Sequence, residues 1–176
     1  HYAIFVNTTG GTYDGLSAAL KRMRFRLSND QVVVMECRMR QSSLNDATVL
    51  YGFQDVASTA VSAIRDRVNM FGFVDAAGDN KIKFTTAESS TASSGSDIGN
   101  TVNWTLLKII ATKSGATLRL NAYMDGSEVS GSPFTSNVPD NVALRPVIGE
   151  AGNTASAVTA HVDYARFYWQ GRPVNP

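Results

Sequence analysis

The sequence predicts an all-β protein built as a two-layer antiparallel sandwich. Two observations carry this prediction. Apolar and polar residues alternate with a period of two along much of the 176-residue chain, and residues typical of tight turns separate the alternating segments. Such alternation places one side of a strand on a core and the other toward solvent. Roughly nine or ten short strands at this spacing are typical of a β-sandwich, not of a parallel sheet with crossover helices.

The predicted strands follow one another with short separations. The clearest alternation runs through residues 31–41, where Val33, Met35 and Cys37 share one face. Residues 21–27 alternate in the same way, with arginines between the apolar positions. Segments with strand-like composition also occur at residues 2–6, 48–54, 68–74, 81–86, 104–112, 117–124, 142–149 and 157–170.

The connections carry recognisable turn chemistry. Asp125-Gly126 between two strand-like segments predicts a two-residue hairpin, because glycine tolerates a positive φ. Residues 113–115 also read as a turn. Residues 58–67 have helical spacing, so we expect at most one short helix. Residues 88–103 include a run of small polar residues that cannot build a core, and we expect a solvated loop there.

Composition excludes several classes of function. Sixteen Lys and Arg against fifteen Asp and Glu give a formal charge of +1, whereas nucleic-acid and membrane-surface proteins normally carry a strong basic excess. We therefore expect neither partner, and no apolar run is long enough for a transmembrane helix. Cys37 is the one cysteine, so no internal disulfide forms, and we expect a buried, inert thiol. The length fits one domain over residues 1–176.

Five short motifs follow in order between residues 48 and 170. They are a Gly-Phe strand at residues 71–75, a polar loop ending at 97–99, a strand beginning with Trp104, a Tyr-x-Asp-Gly hairpin at 123–126 and a closing Val-Asp-Tyr strand at 162–168. In this order they resemble the concanavalin A-like (laminin-G-like) jelly roll. The resemblance implies a two-sheet antiparallel jelly-roll sandwich. Modules of this kind occur in bacteriophage virion proteins and bacterial surface proteins.

The resemblance also raises the question of catalysis. Glycoside hydrolases of this fold carry Glu-x-Asp-x-x-Glu on one strand, which points alternate carboxylates into a cleft. The residues two places after the four glutamates are Arg38, Ser90, Ser130 and Gly152, so the motif is absent. No Gly-x-Ser-x-Gly elbow occurs, and His161 with Asp163 reads as two ordinary polar positions. We therefore expect no catalytic residue.

Arginines form one candidate interaction surface. If residues 21–27 paired with residues 31–41 through the turn at 28–30, five arginines would share a sheet face, either solvated or docked on an acidic protein surface. The last strand has apolar residues on both faces, which suggests cover by a second sheet and by a loop or sister subunit. The candidate interface residues are Arg22, Arg24, Arg26, Arg38, Arg40 and Trp169.

Aromatic and acidic residues supply two further candidate sites. A lectin-like site would need exposed aromatic rings beside polar side chains, and the candidate glycan contacts are Tyr51, Trp104 and Tyr123, although aromatics in alternating strands are more often core residues. No cofactor or metal site is expected. Calcium is a minor alternative, either at the turn with Asp75, Asp79 and Asn80 or, as the resemblance implies, at Asp163.

These observations favour a non-catalytic structural or binding module. The favoured hypothesis is a bacteriophage virion component, a capsid decoration or fibre protein that forms a homo-oligomer and contacts capsid or other virion proteins. The first alternative is a carbohydrate-binding, lectin-like module that is extracellular or on a cell surface. The second alternative is a glycoside hydrolase with an unrecognised carboxylate pair.

Overall fold

The described part of the chain contains twelve strands. The computed structural model describes residues 4–8, 13–15, 26–27, 31–41, 47–55, 69–75, 81–99, 102–140, 142–152 and 158–170. The strands are β1 (Ile4–Thr8), β2 (Tyr13–Gly15), β3 (Gln31–Gln41), β4 (Ala47–Gln54), β5 (Met70–Asp75), β6 (Ile82–Glu88), β7 (Thr91–Asp97), β8 (Thr105–Ser114), β9 (Thr117–Met124), β10 (Ser127–Glu128), β11 (Arg145–Gly152) and β12 (Val158–Gln170).

The strands form two six-stranded antiparallel sheets. Sheet 1 has the order β1-β12-β3-β8-β9-β10, and sheet 2 has the order β2-β11-β4-β5-β6-β7. This arrangement confirms the prediction of an all-β antiparallel sandwich. The described ranges contain no helix and therefore no helix that could span a membrane. The segment expected to be a short helix, residues 58–67, lies outside them.

An aromatic layer fills the space between the sheets. Phe53 and Phe71 lie on the inner face of sheet 2 with ring centroids 4.9 Å apart, and Phe73 meets Phe84 edge-on at 5.2 Å. Phe53 also meets Phe167 of sheet 1 at 6.2 Å, so the layer joins the two sheets. Burial of each such side chain contributes roughly 1.5–3 kcal/mol, and edge-to-face pairs add to this.

Strand β3 supplies the opposite wall of this core. Met35, Cys37 and Met39 are fully buried on its inner face, as the sequence alternation predicts. Burial in apolar surroundings raises the pKa of the Cys37 thiol well above its ordinary value, because the thiolate would lose its hydration. The thiol is therefore held in its neutral, unreactive form.

A pair of glycines occupies the centre of sheet 2. Gly52 on β4 lies opposite Gly72 on β5, on the face directed away from sheet 1. A Cβ on Gly52 would lie 2.2 Å from the Phe71 carbonyl oxygen and 2.5 Å from the Gly72 Cα. These contacts are with backbone atoms and cannot be relieved by rotating a side chain. The close approach of the two strands therefore requires glycine.

A second apolar cluster surrounds this glycine pair. Leu50 and Val74 lie to one side of it, and Met70, Ala87 and Val147 complete the cluster, all of them buried although they point away from sheet 1. This face of sheet 2 is therefore not an open groove.

Two expectations about strand pairing are wrong. Strand β3 has β12 on one side and β8 on the other, so residues 21–27 have no free edge of β3 to pair with. Arg26 and Leu27 do not lie in a strand. Residues 88–103, expected to form a polar loop, contain the edge strand β7. An edge strand forms by hydrogen bonding to one neighbour, here β6, and it does so without burying its side chains.

Replacing Gly52 with alanine should lower the free energy of unfolding by about 3 kcal/mol or prevent folding, because the methyl group meets backbone atoms. In a thermal melt this corresponds to a fall in Tm of about 6–12 °C. Ser94→Ala is the matched control, since Ser94 lies in the same cross-sheet row but is exposed at the edge. Its Tm should change little, and equal melting of the two variants would contradict the close-approach account.

The Cys37 thiol should fail to react with a chromogenic disulfide reagent while the protein is folded. Addition of denaturant should then release one equivalent of chromophore per chain, because Cys37 is the one cysteine in the sequence. Rapid reaction of the native protein at neutral pH would show that the core around β3 opens more readily than its burial indicates.

Candidate functional site

An open cleft of about 390 Å³ lies where one end of sheet 2 meets the hairpin of sheet 1. Strand β7 contributes one wall at its last residue, and the β9–β10 hairpin contributes the other. Carboxylates, hydroxyl groups and apolar side chains share the surface. The lining residues are Asp97, Ile98, Met124, Asp125, Ser127, Glu128, Val129 and Ser130.

The hairpin that forms one wall has the geometry the sequence predicts. Asp125 and Gly126 have φ values of 50° and 82°, and Ser127 pairs with Met124 across the turn. Asp125 also anchors the turn to β8. Its backbone N–H donates to the Leu106 carbonyl at 2.8 Å, and its Oδ1 accepts from the Leu106 N–H at 2.8 Å.

Glu128 is held as a carboxylate by its neighbours. Its Oε1 accepts hydrogen bonds from Asn121 Nδ2 at 2.7 Å and from Ser132 Oγ at 2.8 Å. These two hydrogen bonds, with a smaller contribution from the charge of Arg119, lower the pKa of Glu128 below its ordinary value. The side chain is exposed and negatively charged at neutral pH.

Asp97 is the corresponding carboxylate on the other wall. Lys81 Nζ lies 2.8 Å from its Oδ2, and Lys83 Nζ lies 3.5 Å from its Oδ1. The hydrogen bond from Lys81 is the main reason that the pKa of Asp97 lies below its ordinary value, and the two lysine charges act in the same direction. Two ionised carboxylates therefore face the cleft from different sheets.

This arrangement suits a ligand with many hydroxyl groups. Ionised carboxylates accept hydrogen bonds from hydroxyls, and the side chains of Ile98, Met124 and Val129 offer apolar contact. Within the described ranges, no three His, Cys, Asp or Glu side chains form a group that could hold a metal ion. The turn with Asp79 and Asn80, one of the two minor alternatives for calcium, lies outside those ranges.

The structure separates the three aromatic residues that the sequence offers as glycan contacts. Tyr51 is fully buried on the inner face of sheet 2, 6.1 Å from the Phe73 ring, so its predicted glycan contact is wrong. Tyr123 is half-buried on β9, opposite Glu128 of the hairpin. Trp104 is 39% exposed just before β8. Alternation alone gives no sign of which face of a strand meets the other sheet.

Trp104 comes together with two of the candidate interface arginines. The Arg38 and Arg40 guanidinium carbons lie 5.1 and 5.2 Å from the centre of its ring, both within cation–π range. Arg38 Nη1 also lies 2.8 Å from Asp163 Oδ2. Asp163 lies at a β-bulge in β12, and its ion pair with Arg38 joins β12 to the neighbouring strand β3. We call Trp104, Arg38, Arg40 and Asp163 the Trp104 patch.

The other candidate interface residues do not join this patch. Arg26 is exposed outside the strands, so the expected arginine-lined sheet face does not form as predicted. Arg22 and Arg24 lie outside the described residues. The backbone of Trp169 pairs with that of Val33, and the Trp169 side chain, like Arg22 and Arg24, lies outside the described part of the structure.

The sequence patterns did not identify one buried carboxylate on sheet 1. Glu36 on β3 is buried, and its Oε1 accepts hydrogen bonds from Arg166 Nε at 2.9 Å and from the Tyr164 hydroxyl at 3.0 Å. The Arg166 Nη2 atom forms a third bond to the same oxygen. Burial, and then the bond to Glu36, raise the pKa of Tyr164. This cluster ties β12 to β3 and lies away from the cleft lining.

Comparison with solved structures identifies the fold. No family model and no curated protein matches the sequence. An endo-acting O-glycanase of the human gut microbiota superposes with a TM-score of 0.59 at 10% identity, over 94% of this chain and 78% of that chain. The endo-1,3-beta-glucanase of Streptomyces sioyaensis gives 0.55 at 11%, over 86% and 68%. A legume lectin-like domain of Entamoeba histolytica gives 0.56 at 8%, over 96% and 84%.

These neighbours correct the functional expectation. They are glycoside hydrolases and a lectin-like domain, so the expectation of a non-catalytic bacteriophage virion component is wrong, and the carbohydrate alternatives fit the findings better. The absent Glu-x-Asp-x-x-Glu motif excludes only one placement of carboxylates, on a single strand. Here carboxylates from two sheets meet in one cleft. The fold is the concanavalin A-like jelly roll that glucanases and lectin-like domains share.

Proposed function

We propose that this chain is a carbohydrate-active protein that binds a glycan in the cleft between β7 and the β9–β10 hairpin. The observation that carries the proposal is the lining of the cleft, which combines the ionised carboxylates of Asp97 and Glu128 with serine and apolar residues. Sugars present hydroxyl groups around a ring with apolar C–H faces. The fold neighbours include an endo-acting O-glycanase that initiates mucin breakdown and an endo-1,3-beta-glucanase, which supports mucin O-glycans and β-1,3-glucan as first ligands to test.

Hydrolysis of the bound glycan is the second candidate. Glycosidases use two carboxyl groups, one ionised as nucleophile or base and one as proton donor, and three carboxylates line this cleft. Asp97 and Glu128, with lowered pKa values, suit the ionised role. Asp125 is the third carboxylate of the lining and is the candidate proton donor; its Oδ1 accepts a hydrogen bond from the Leu106 N–H.

Replacing Glu128 with glutamine should weaken glycan binding about tenfold or more, because the variant loses a charge-assisted acceptor. A glycan array that includes β-1,3-glucans and mucin O-glycans identifies the ligand, and calorimetry measures the change in Kd. Glu88→Gln is the matched control, since Glu88 bonds to the Asp140 N–H outside the cleft. Glycan binding unaffected by Glu128→Gln, or no binding to any glycan, would overturn the cleft assignment.

Glycan affinity should stay constant from pH 7 to about pH 5 and fall only below about pH 4. Binding requires the ionised carboxylates, whose pKa values lie below the ordinary 3.8 of Asp97 and 4.5 of Glu128. Protonation therefore removes the acceptors only as the pH drops through these lowered values. Loss of affinity already between pH 7 and 5 would point to a different titrating group.

Release of reducing ends from the bound glycan tests hydrolysis. Asp125→Asn should lower kcat at least about 100-fold with little change in Kd, because it removes a proton donor. The asparagine oxygen can still accept from the Leu106 N–H, and asparagine tolerates the positive φ, so the turn should be kept. Glycan binding with no release of reducing ends would leave binding intact and overturn the hydrolysis candidate.

A further inference from the structure

The Trp104 patch is a surface that glycan binding in the cleft does not use. It lies on the outer face of sheet 1, where Trp104 keeps 39% of its surface exposed while most large side chains of the strands are buried in the core. Exposure of an indole ring is unfavourable for an isolated chain, since the ring buries a large apolar area when it is covered. Its position beside two guanidinium groups makes it a candidate contact surface.

The Trp104 patch carries a net positive charge. Arg38 is paired with Asp163, but Arg40 is exposed and has no acidic partner among the described residues. In register, Arg40 lies opposite His161, and Arg38 lies between Tyr164 and Leu106. Two guanidinium groups held over one ring repel each other, so an anion placed between them would be stabilised by both.

We propose that Trp104, Arg38 and Arg40 form a subsite for an anionic group, a sulfate or a carboxylate, carried by a glycan. The indole ring would pack against the apolar face of a sugar ring. A guanidinium displaced from the ring by that sugar is then free to bind the sulfate or carboxylate with its forked N–H groups. Because no carboxylate of the described residues pairs with Arg40, Arg40 is the main anion contact, and Arg38, which pairs with Asp163, is the second.

The position of the patch favours a glycan over an acidic protein surface. Asp125, which lines the cleft, is hydrogen-bonded to Leu106, and Leu106 lies opposite Arg38 in the next strand. The patch is thus about two strand spacings, roughly 10 Å, from the edge of the cleft. One oligosaccharide can extend from the cleft onto the patch. This inference rests on the proposed glycan binding and adds the class of glycan, an acidic one.

Calorimetric titration with a matched ligand pair tests the subsite. The probes are a β-1,3-glucan hexasaccharide and the same hexasaccharide carrying one sulfate ester. The full chain should bind the sulfated form about tenfold more tightly, and the difference should shrink at high salt because the contact is exposed. Arg40→Gln and Trp104→Ala should each reduce the preference to within about twofold.

Three further variants keep the outcome unambiguous. Arg40→Lys retains the charge but not the fork, so it should keep part of the preference. Arg26→Gln removes an exposed arginine that is not over the Trp104 ring, and it should keep the whole preference. If Trp104→Ala fails to fold, Trp104→Phe replaces it in the titration, because phenylalanine retains an aromatic ring. Glu128→Gln should weaken both ligands equally.

The outcomes separate the subsite from the cleft. Equal affinity of the full chain for both hexasaccharides, or a sulfate preference that survives Arg40→Gln, overturns the subsite and leaves glycan binding in the cleft standing. Failure of both ligands to bind overturns the subsite together with the proposed function for this glycan class. A tenfold preference lost in Arg40→Gln and kept in Arg26→Gln supports it.

Discussion

The aromatic layer between the sheets is the constraint on which the rest of the structure depends. Phe53 contacts Phe71 within its own sheet and Phe167 of the facing sheet, so one ring helps to set both the order within a layer and the distance between layers. Because the two sheets are held in this relation, β7 and the β9–β10 hairpin end beside each other. Asp97 and Glu128, far apart in sequence, can then line one cleft.

Local sequence patterns predicted individual strands and turns better than they predicted which strands pair with each other. The alternation of β3 and the Asp125-Gly126 turn depend on neighbouring residues only, and both are confirmed. Pairing depends on distant segments, which is why residues 21–27 could be assigned wrongly to the edge of β3. Strand β7 was missed because an edge strand forms through backbone hydrogen bonds to one neighbour, so its small polar side chains carry no apolar signal.

The candidate site was only partly predictable for a related reason. Trp104, Arg38 and Arg40 were identified from the sequence in two separate groups, and only the pairing of β3 with β8 places them together. The carboxylates of the cleft follow no motif because they belong to different sheets. Tyr51 was assigned wrongly as a glycan contact, because an aromatic residue in an alternating strand has the same sequence pattern whether it faces solvent or the core.

The glycine pair in sheet 2 has a consequence for how the chain finds its register. Sliding β4 by two residues along β5 would keep every side chain on its proper face, yet it would oppose Gly52 to Met70 or Val74. The native spacing at this point leaves no room for any Cβ, so such a slipped sheet would have to separate and lose contacts on both faces. Two residues without side chains thus select one alignment from several that hydrophobic patterning alone would accept.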